Sequence, residues 1–239
     1  SFLAQVGQNL ALYVRYKKLR ESAAFTSLSL EQQKVIDNEL RDFRLSGAEL
    51  NEDQKPRFLE IREELARLSA KFSENVQDAT NAFSHTIFDE KDLAGLPEDI
   101  KSAAQNPVKE GEKTSWSFNL HAPSYMPLMQ LAENRALRET MYRASATRAA
   151  EFHDGSSKKE WDNSSVIKQL LILRDEEAKM LGFPSFADGS LVSKMANSPA
   201  EVIGFLRELG QKARPFAKKD FAELQGFAKD KLNMAKLEA

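Results

Sequence analysis

The sequence contains no cysteine and little glycine or proline. Its 239 residues include only 10 glycines, 8 prolines and 3 histidines. The lack of cysteine excludes disulfides, thiolate nucleophiles and sulfur-ligated metal sites, and it fits a reducing compartment, so we expect a cytoplasmic protein. Because alanine, leucine, glutamate, lysine, arginine and glutamine dominate the remainder, the composition favours helices.

Long apolar runs and blocks of like charge are also missing. The longest apolar runs, such as Val202 to Leu206, reach five residues, whereas a membrane-spanning helix needs about 20. The 34 basic and 36 acidic side chains give a net charge of −2, with no basic block that would bind phosphates. We therefore expect neither a membrane nor a nucleic acid as a partner. With 41% hydrophobic residues, the chain can form one large domain or two small ones.

The spacing of apolar residues predicts a mainly helical protein. They recur every three or four positions from Asn51 to Phe83, which is typical of one long helix. We expect the first segment, with Leu3, Val6, Leu10 and either Tyr13 or Val14, to pack along it. Start and stop signals predict four further helices. One follows Ser29 and ends near Ser46 and Gly47, and a short one runs from Pro97 to Ala104. A third follows Asp162 and ends at Gly182, and the fourth follows Ser198.

Two short stretches depart from the helical pattern. Polar and apolar residues alternate over residues 85–89 and 114–121, with β-branched and aromatic side chains among them. This alternation predicts two strands. The expected fold is therefore mainly α and multi-helical, with long antiparallel helices and one small two-stranded β element, the latter within a β-containing insertion at residues 85–121.

The three histidines do not have the spacing of a metal site. His85, His121 and His153 lie far apart in the sequence, whereas a helical zinc site such as H-E-x-x-H places two histidines four residues apart. His85 and His121 are interpreted as structural residues at strand edges, and His153 as a solvated loop residue. We therefore predict no catalytic and no metal-ligating residue in this chain, and its substrate-binding residues are unknown.

Other candidate motifs also have a structural interpretation. Neither a G-x-S-x-G nucleophile elbow nor a glycine-rich phosphate loop occurs. Asn163 opens an Asn-Ser-Ser glycosylation triplet that has no role in a cytoplasmic protein. Adjacent carboxylates at Glu63 with Glu64 and at Glu176 with Glu177 are expected to form solvent-facing ion pairs; the neighbouring arginines are Arg62, Arg67 and Arg174.

Several segments, in order along the chain, resemble one family of enzymes. They are DNELRDFRLSGAEL at 37–50, RLSAKFSENVQDAT at 67–80, HAPSYMPLMQLAENRALRETMYRASATRA at 121–149, WDNSSVI at 161–167, LRDEEAKMLGFPSFADGSL at 173–191 and KMANSPAEVIGFL at 194–206. These segments resemble the oligopeptidase A branch of the thimet oligopeptidase family of zinc metallopeptidases. The resemblance covers essentially the whole chain.

This resemblance implies a helical metallopeptidase whose two lobes enclose a deep channel that admits short peptides. In that family zinc is held by the histidines of H-E-x-x-H and by a later glutamate, and this chain contains no such motif. We therefore expect residues 1–239 to be a non-catalytic, helical portion of a zinc oligopeptidase, truncated at both ends and inactive alone. It would form part of the channel wall. Its partners would be the missing catalytic C-terminal part and, in the full-length zinc enzyme, short peptides.

Two alternatives remain open from the sequence. In the first, the chain is a stand-alone helical module for binding or scaffolding. In the second, it is an enzyme of another kind that uses His121 with carboxylate side chains. A part separated from a larger enzyme (a severed lobe) should have a broad exposed apolar face where the missing part would pack, whereas a stand-alone module should not.

Overall fold

The computed structural model describes residues 7, 9–108, 111, 113–152 and 159–237. The described residues form helices and one small sheet, which confirms the predicted fold class. In chain order the elements are α1 (Leu10–Glu21), α2 (Ala23–Thr26), α3 (Leu30–Leu45), α4 (Lys55–Ala82), β1 (His85–Ile87), a 3₁₀ turn (Glu90–Leu93), α5 (Glu98–Ala104), β2 (Trp116–Phe118), α6 (Ala122–Leu131), α7 (Arg135–Thr147), a 3₁₀ turn (Lys159–Trp161), α8 (Ser164–Met180), α9 (Phe186–Leu191) and α10 (Pro199–Leu232).

The chain divides into two compact units. The first contains the described residues up to Lys55 and those from Glu177 onward, and the second runs from Pro56 to Glu176. In the first unit, α1 packs against α3. The rings of Tyr13 and Tyr16 each lie 5.9 Å from the ring of Phe43. The main partner of α1 is thus α3 rather than the long helix predicted from the sequence. Leu3 and Val6, which shared that prediction, lie outside the described residues.

The second unit contains the sheet. Strands β1 and β2 pair antiparallel, with His85 opposite Phe118 and Ile87 opposite Trp116, so the predicted two-stranded element is confirmed. Ile87, Trp116 and Phe118 belong to one buried cluster, to which α6 and α7 contribute Leu128, Leu137 and Met141. The sheet is therefore stabilised by the helices that follow it.

The long helix α4 packs along α8 within the second unit. Leu68 of α4 lies in a buried cluster with Val166 and Leu170 of α8. The helix begins at Lys55 rather than at Asn51, and the Gln54 side chain accepts a hydrogen bond from the Asn51 amide at 3.3 Å. This contact is one of the two hydrogen bonds of a capping box.

Most predicted helix ends are confirmed by their capping contacts. Ser29 and Gln32 form a complete capping box at α3, and the Ser198 side chain accepts a hydrogen bond from the Glu201 amide at the start of α10. Gly47 and Gly182 follow α3 and α8 with φ of +83° and +79°, a backbone conformation that glycine adopts without strain. Every helix within the described ranges is too short or too polar to span a bilayer.

Gly95 marks a close approach between two backbone segments. Its φ is +86°, and an added Cβ would lie 2.2 Å from the carbonyl oxygen of Leu131. Next to it, the amide of Glu133 donates a hydrogen bond to the carbonyl of Ala94 at 2.8 Å. The turn after the first 3₁₀ segment can therefore contact the end of α6 only because residue 95 has no side chain.

We predict that Gly95→Ala destabilises the protein strongly, because the methyl group would force these backbone segments apart. Gly182→Ala is the matched control, since Gly182 also has a positive φ but an added Cβ would meet no atom within 4 Å. Both variants lose the glycine backbone preference, at about 1–2 kcal/mol, and Gly95→Ala should cost about 1–3 kcal/mol more. Urea unfolding measures the difference, and equal losses in the two variants would contradict the close-approach explanation.

Candidate functional site

The described structure does not bring the histidines together into a site. His85 lies half-buried on β1, and His121 is the exposed residue that precedes α6, where its backbone amide donates to Asn119 Oδ1 at 3.0 Å. His153 lies outside the described residues. The interpretation of His85 and His121 as structural residues stays a prediction.

One carboxylate of each adjacent pair, Glu64 and Glu176, is bound by an arginine, and Glu177 is buried. The Arg67 guanidinium donates two hydrogen bonds to the Glu64 carboxylate, and this contact lowers the pKa of Glu64. Glu176 is bound in the same bidentate way by Arg57. Glu177, however, is buried with 5% of its surface exposed, so the prediction of a solvent-facing ion pair was wrong for this residue. The reason is that Glu176 and Glu177, adjacent on α8, face different sides of the helix.

Arg57 connects two helices that are far apart in the sequence. Its Nε and Nη2 atoms each lie 2.7 Å from an oxygen of Glu176, and Nη1 lies 2.7 Å from Glu60. The contact joins the first turns of α4 to the C-terminal half of α8. The hydrogen bonds from Arg57 lower the pKa of Glu176 below its ordinary value.

We predict that this pair stabilises the protein less as the pH falls. A depressed pKa means that the stabilisation is complete above the ordinary glutamate pKa and is lost as the pH drops through the value in the folded protein. The gap in unfolding free energy between the native chain and Arg57→Gln should therefore narrow from about pH 7 to about pH 3.

The control for this prediction is Arg57→Gln in a Glu176→Gln background. There the arginine substitution should have a much smaller effect, since only the exposed contact with Glu60 is lost. A gap that stays constant with pH, or that is unchanged by Glu176→Gln, would rule out the pairing as its cause.

A buried amide pair joins α4 to the start of α8. Asn75 and Asn163 are 1% and 2% exposed, and Asn75 Nδ2 donates to Asn163 Oδ1 at 2.9 Å. Asn163 Nδ2 donates in turn to the carbonyl of Phe72 at 3.1 Å. Asn163 is therefore buried in the folded chain, and the expectation that its glycosylation triplet has no role stays a prediction.

The segment between α7 and α8 completes the contacts of this pair. The backbone N–H of Asn163 donates to the carbonyl of Ala149 at 3.0 Å, and the Arg148 guanidinium donates to Thr80 Oγ1 at 3.3 Å. Trp161 and Ala149 pack with Val76 and Ala79 of α4 in a buried cluster. We name this region the polar junction; it comprises Asn75, Val76, Ala79, Thr80, Arg148, Ala149, Trp161 and Asn163.

The polar junction unites three of the segments that carry the family resemblance, namely those at 67–80, 121–149 and 161–167. This junction was not predicted from the sequence. A signal was available, because Asn75 is spaced seven residues from Leu68 and four from Ala79 and therefore shares their buried face of the helix. A polar residue in a core position needs a buried hydrogen-bond partner, which the structure identifies as Asn163.

We predict that Asn163→Ala destabilises the protein by about 2–4 kcal/mol, since it leaves the Asn75 amide and the Phe72 carbonyl without their buried partners. Asn81→Ala is the control, because Asn81 lies exposed on the same helix α4 and its loss should change the stability by less than about 0.5 kcal/mol. The measurement is urea unfolding followed by circular dichroism. A loss for Asn163→Ala as small as that of the control would show that the junction is not a structural requirement.

The other resembling segments lie at helix ends. Gly47 ends α3 and Gly182 follows α8, whereas the side chains of Ser185 and Ser198 cap α9 and α10. The Ser185 hydroxyl also contacts Asp188 Oδ2 at 2.6 Å. In the described structure these residues fix where helices begin and end.

The described residues do not fit the zinc site that the resemblance implies. A catalytic zinc needs three protein ligands that converge on one point, and no group of three His, Asp or Glu side chains in the described part of the chain could hold a metal ion. One buried side-chain atom there, Asn75 Oδ1, has no hydrogen-bond partner in the described structure, but a single amide oxygen is not a zinc site.

Two protein-family models match the sequence. Residues 1–55 match the model described as the neurolysin/thimet oligopeptidase N-terminal domain, and residues 128–239 match the model described as peptidase family M3. The second match begins in α6 and includes α7, the Asn163 side of the polar junction, and the whole of α10.

Curated relatives match over nearly all of this chain. Oligopeptidase A of Haemophilus influenzae is 44% identical over 97% of the chain and 34% of its own length. Oligopeptidase A of Escherichia coli is 41% identical over 98% of the chain and 34% of its own length. The probable cytosolic oligopeptidase A of Arabidopsis thaliana is 39% identical over 96% of the chain and 32% of its own length. The chain thus spans about a third of the length of these relatives.

Proposed function

We propose that this chain is the helical, non-catalytic portion of a zinc-dependent oligopeptidase, because it belongs to the oligopeptidase A and thimet oligopeptidase family. Its substrates are short peptides, and its helices form part of the wall of the channel that the peptides enter. The observation that carries the proposal is the similarity of nearly the whole chain to about a third of the oligopeptidase A sequences.

The proposed position of the zinc site follows from the ligands that are missing. Peptidase family M3 is generally zinc-dependent. The sequence has three histidines, and no two of them are four residues apart. Since a histidine pair of that spacing is the zinc signature of these enzymes, we place the metal and the residues that activate water outside this chain.

Several observations support a part of an enzyme over the two alternatives. The described structure exposes a broad apolar face on α10, which is the feature expected of a severed lobe and not of a stand-alone module. His121, the residue on which an enzyme of another kind would depend, lies exposed at the start of α6. The lack of cysteine agrees with the cytoplasmic location that we propose for the whole enzyme.

We predict that the isolated chain neither binds zinc stoichiometrically nor cleaves peptides. After removal of metal with a chelator and incubation with zinc, the metal content is measured by mass spectrometry, and hydrolysis of a short fluorogenic peptide is followed in parallel. The full-length polypeptide that contains this chain serves as the positive control and should show both zinc and activity. Stoichiometric zinc with hydrolysis by the isolated chain would overturn the proposal, as would a full-length polypeptide without peptidase activity.

A further inference from the structure

Helix α10 is long, amphipathic and almost entirely exposed. It runs from Pro199 to Leu232, and among its residues Ala228 alone is buried in the described structure. Thirty-four residues correspond to about 50 Å of helix. A surface helix of this kind normally turns one face to the interior of a protein.

The large apolar side chains of α10 lie along one side of the helix in two groups. Separations of three, seven or eight residues keep them on that side, and Lys219, Asp220 and Glu223 separate the two groups between Phe216 and Leu224. The large members of this face are between 52% and 72% exposed; they are Phe205, Leu206, Leu209, Phe216, Leu224 and Phe227. We call this set the α10 face. Exposed apolar patches larger than a few hundred Å² mark interaction surfaces.

Charged side chains border the α10 face and cover the opposite side of the helix. Lys212 pairs with Glu208 and Lys219 pairs with Glu223, in both cases four residues apart along the edge of the α10 face. Arg207, Lys218 and Lys229 lie on the side opposite the α10 face. The helix therefore has one side suited to water and one side suited to a protein interior.

The chain after α10 folds back toward the helix. Asn233 adopts a left-handed conformation with φ of +51°, and the amide of Met234 donates to the carbonyl of Ala228 at 3.0 Å. Met234 and Leu237 are half-buried. The residues that follow the helix are thus placed beside its last turns.

We propose that the α10 face is the docking surface for the remaining part of the same peptidase polypeptide, the part that the curated relatives possess beyond the matched third. This inference rests on the proposed function. The match to the peptidase family M3 model runs through the entire helix, and about two thirds of the length of the relatives lies outside the region matched here. A buried intramolecular interface explains why a helix within the peptidase region carries large aromatic and aliphatic side chains that this chain leaves in water.

The test is residue-specific labelling, which the lack of native cysteines in this chain makes possible. Phe216→Cys and Leu209→Cys place a thiol on the α10 face, and Lys218→Cys and Arg207→Cys place one on the opposite side at matched positions. Maleimide labelling of each variant is followed by peptide mass spectrometry, both in the isolated chain and in the full-length polypeptide that contains it. The rates at these four positions are compared.

We expect the two α10-face thiols to react at least about tenfold more slowly in the full-length polypeptide than in the isolated chain, because burial protects them. The two control thiols should react equally fast in both proteins. Unchanged rates at the α10 face in the full-length polypeptide would overturn the proposal. Protection that already occurs in the isolated chain and grows with its concentration would also overturn it, because the occupant would then be a second copy.

Peptidase activity of the full-length polypeptide is measured separately and distinguishes the two proposals. Protection without peptidase activity would leave the docking surface intact and remove the proposed function. Peptidase activity without protection of the α10-face thiols would support the proposed function and remove the docking surface. A Phe216→Lys and Leu209→Lys double variant gives a second measurement: it should lower the thermal stability of the full-length polypeptide, whereas Lys218→Gln with Arg207→Gln should not, and an equal effect of both pairs would count against the interface.

Discussion

An amphipathic helix is stable in water only when another element covers its apolar face, and the packing of this chain follows from that requirement. Helix α1 is covered by α3 through Tyr13 and Phe43, and α4 is covered by α8 through Leu68, Val166 and Leu170. The small sheet is covered by α6 and α7. Helix α10 leaves most of its large apolar side chains exposed in the described structure, and for this reason we propose that its exposed face is an interface.

The polar contacts fix how α4 and α8 are oriented relative to each other, which apolar burial alone would not determine. Apolar contact between two helices has little directional preference, whereas the Asn75–Asn163 pair accepts one arrangement of α4 and α8. The bidentate contact of Arg57 with Glu176 fixes the same two helices at a second point. Close approaches such as that of Gly95 to Leu131 fix the turns in a comparable way. Several of the resembling segments therefore contain residues with a structural role, and a resemblance to a family can rest on such residues.

Local signals were sufficient to predict most of the fold. Capping residues such as Ser29 and Ser198 act within a few positions of the chain, so the helix starts that they define were readable from the sequence. The alternation at residues 85–89 and 114–121 identified both strands for the same reason. Contacts between distant residues were not readable in this way. The partner of α1, the burial of Glu177 and the pairing of Asn75 with Asn163 each depend on which elements come together in space. The same distinction applies to the candidate site. The lack of an H-E-x-x-H pattern could be read from the sequence because that motif is local, whereas the polar junction could not, because its residues are far apart in the chain.

The central claim is that this chain supplies the helical scaffold of an oligopeptidase whose zinc ligands lie elsewhere in the same polypeptide. Sequencing the complete reading frame that encodes residues 1–239 tests it most directly. We expect the codons after Ala239 to continue for several hundred residues, as the relatives' lengths imply at about one third coverage, and to encode one H-E-x-x-H motif followed by a further glutamate. A reading frame that lacks this motif would contradict the account.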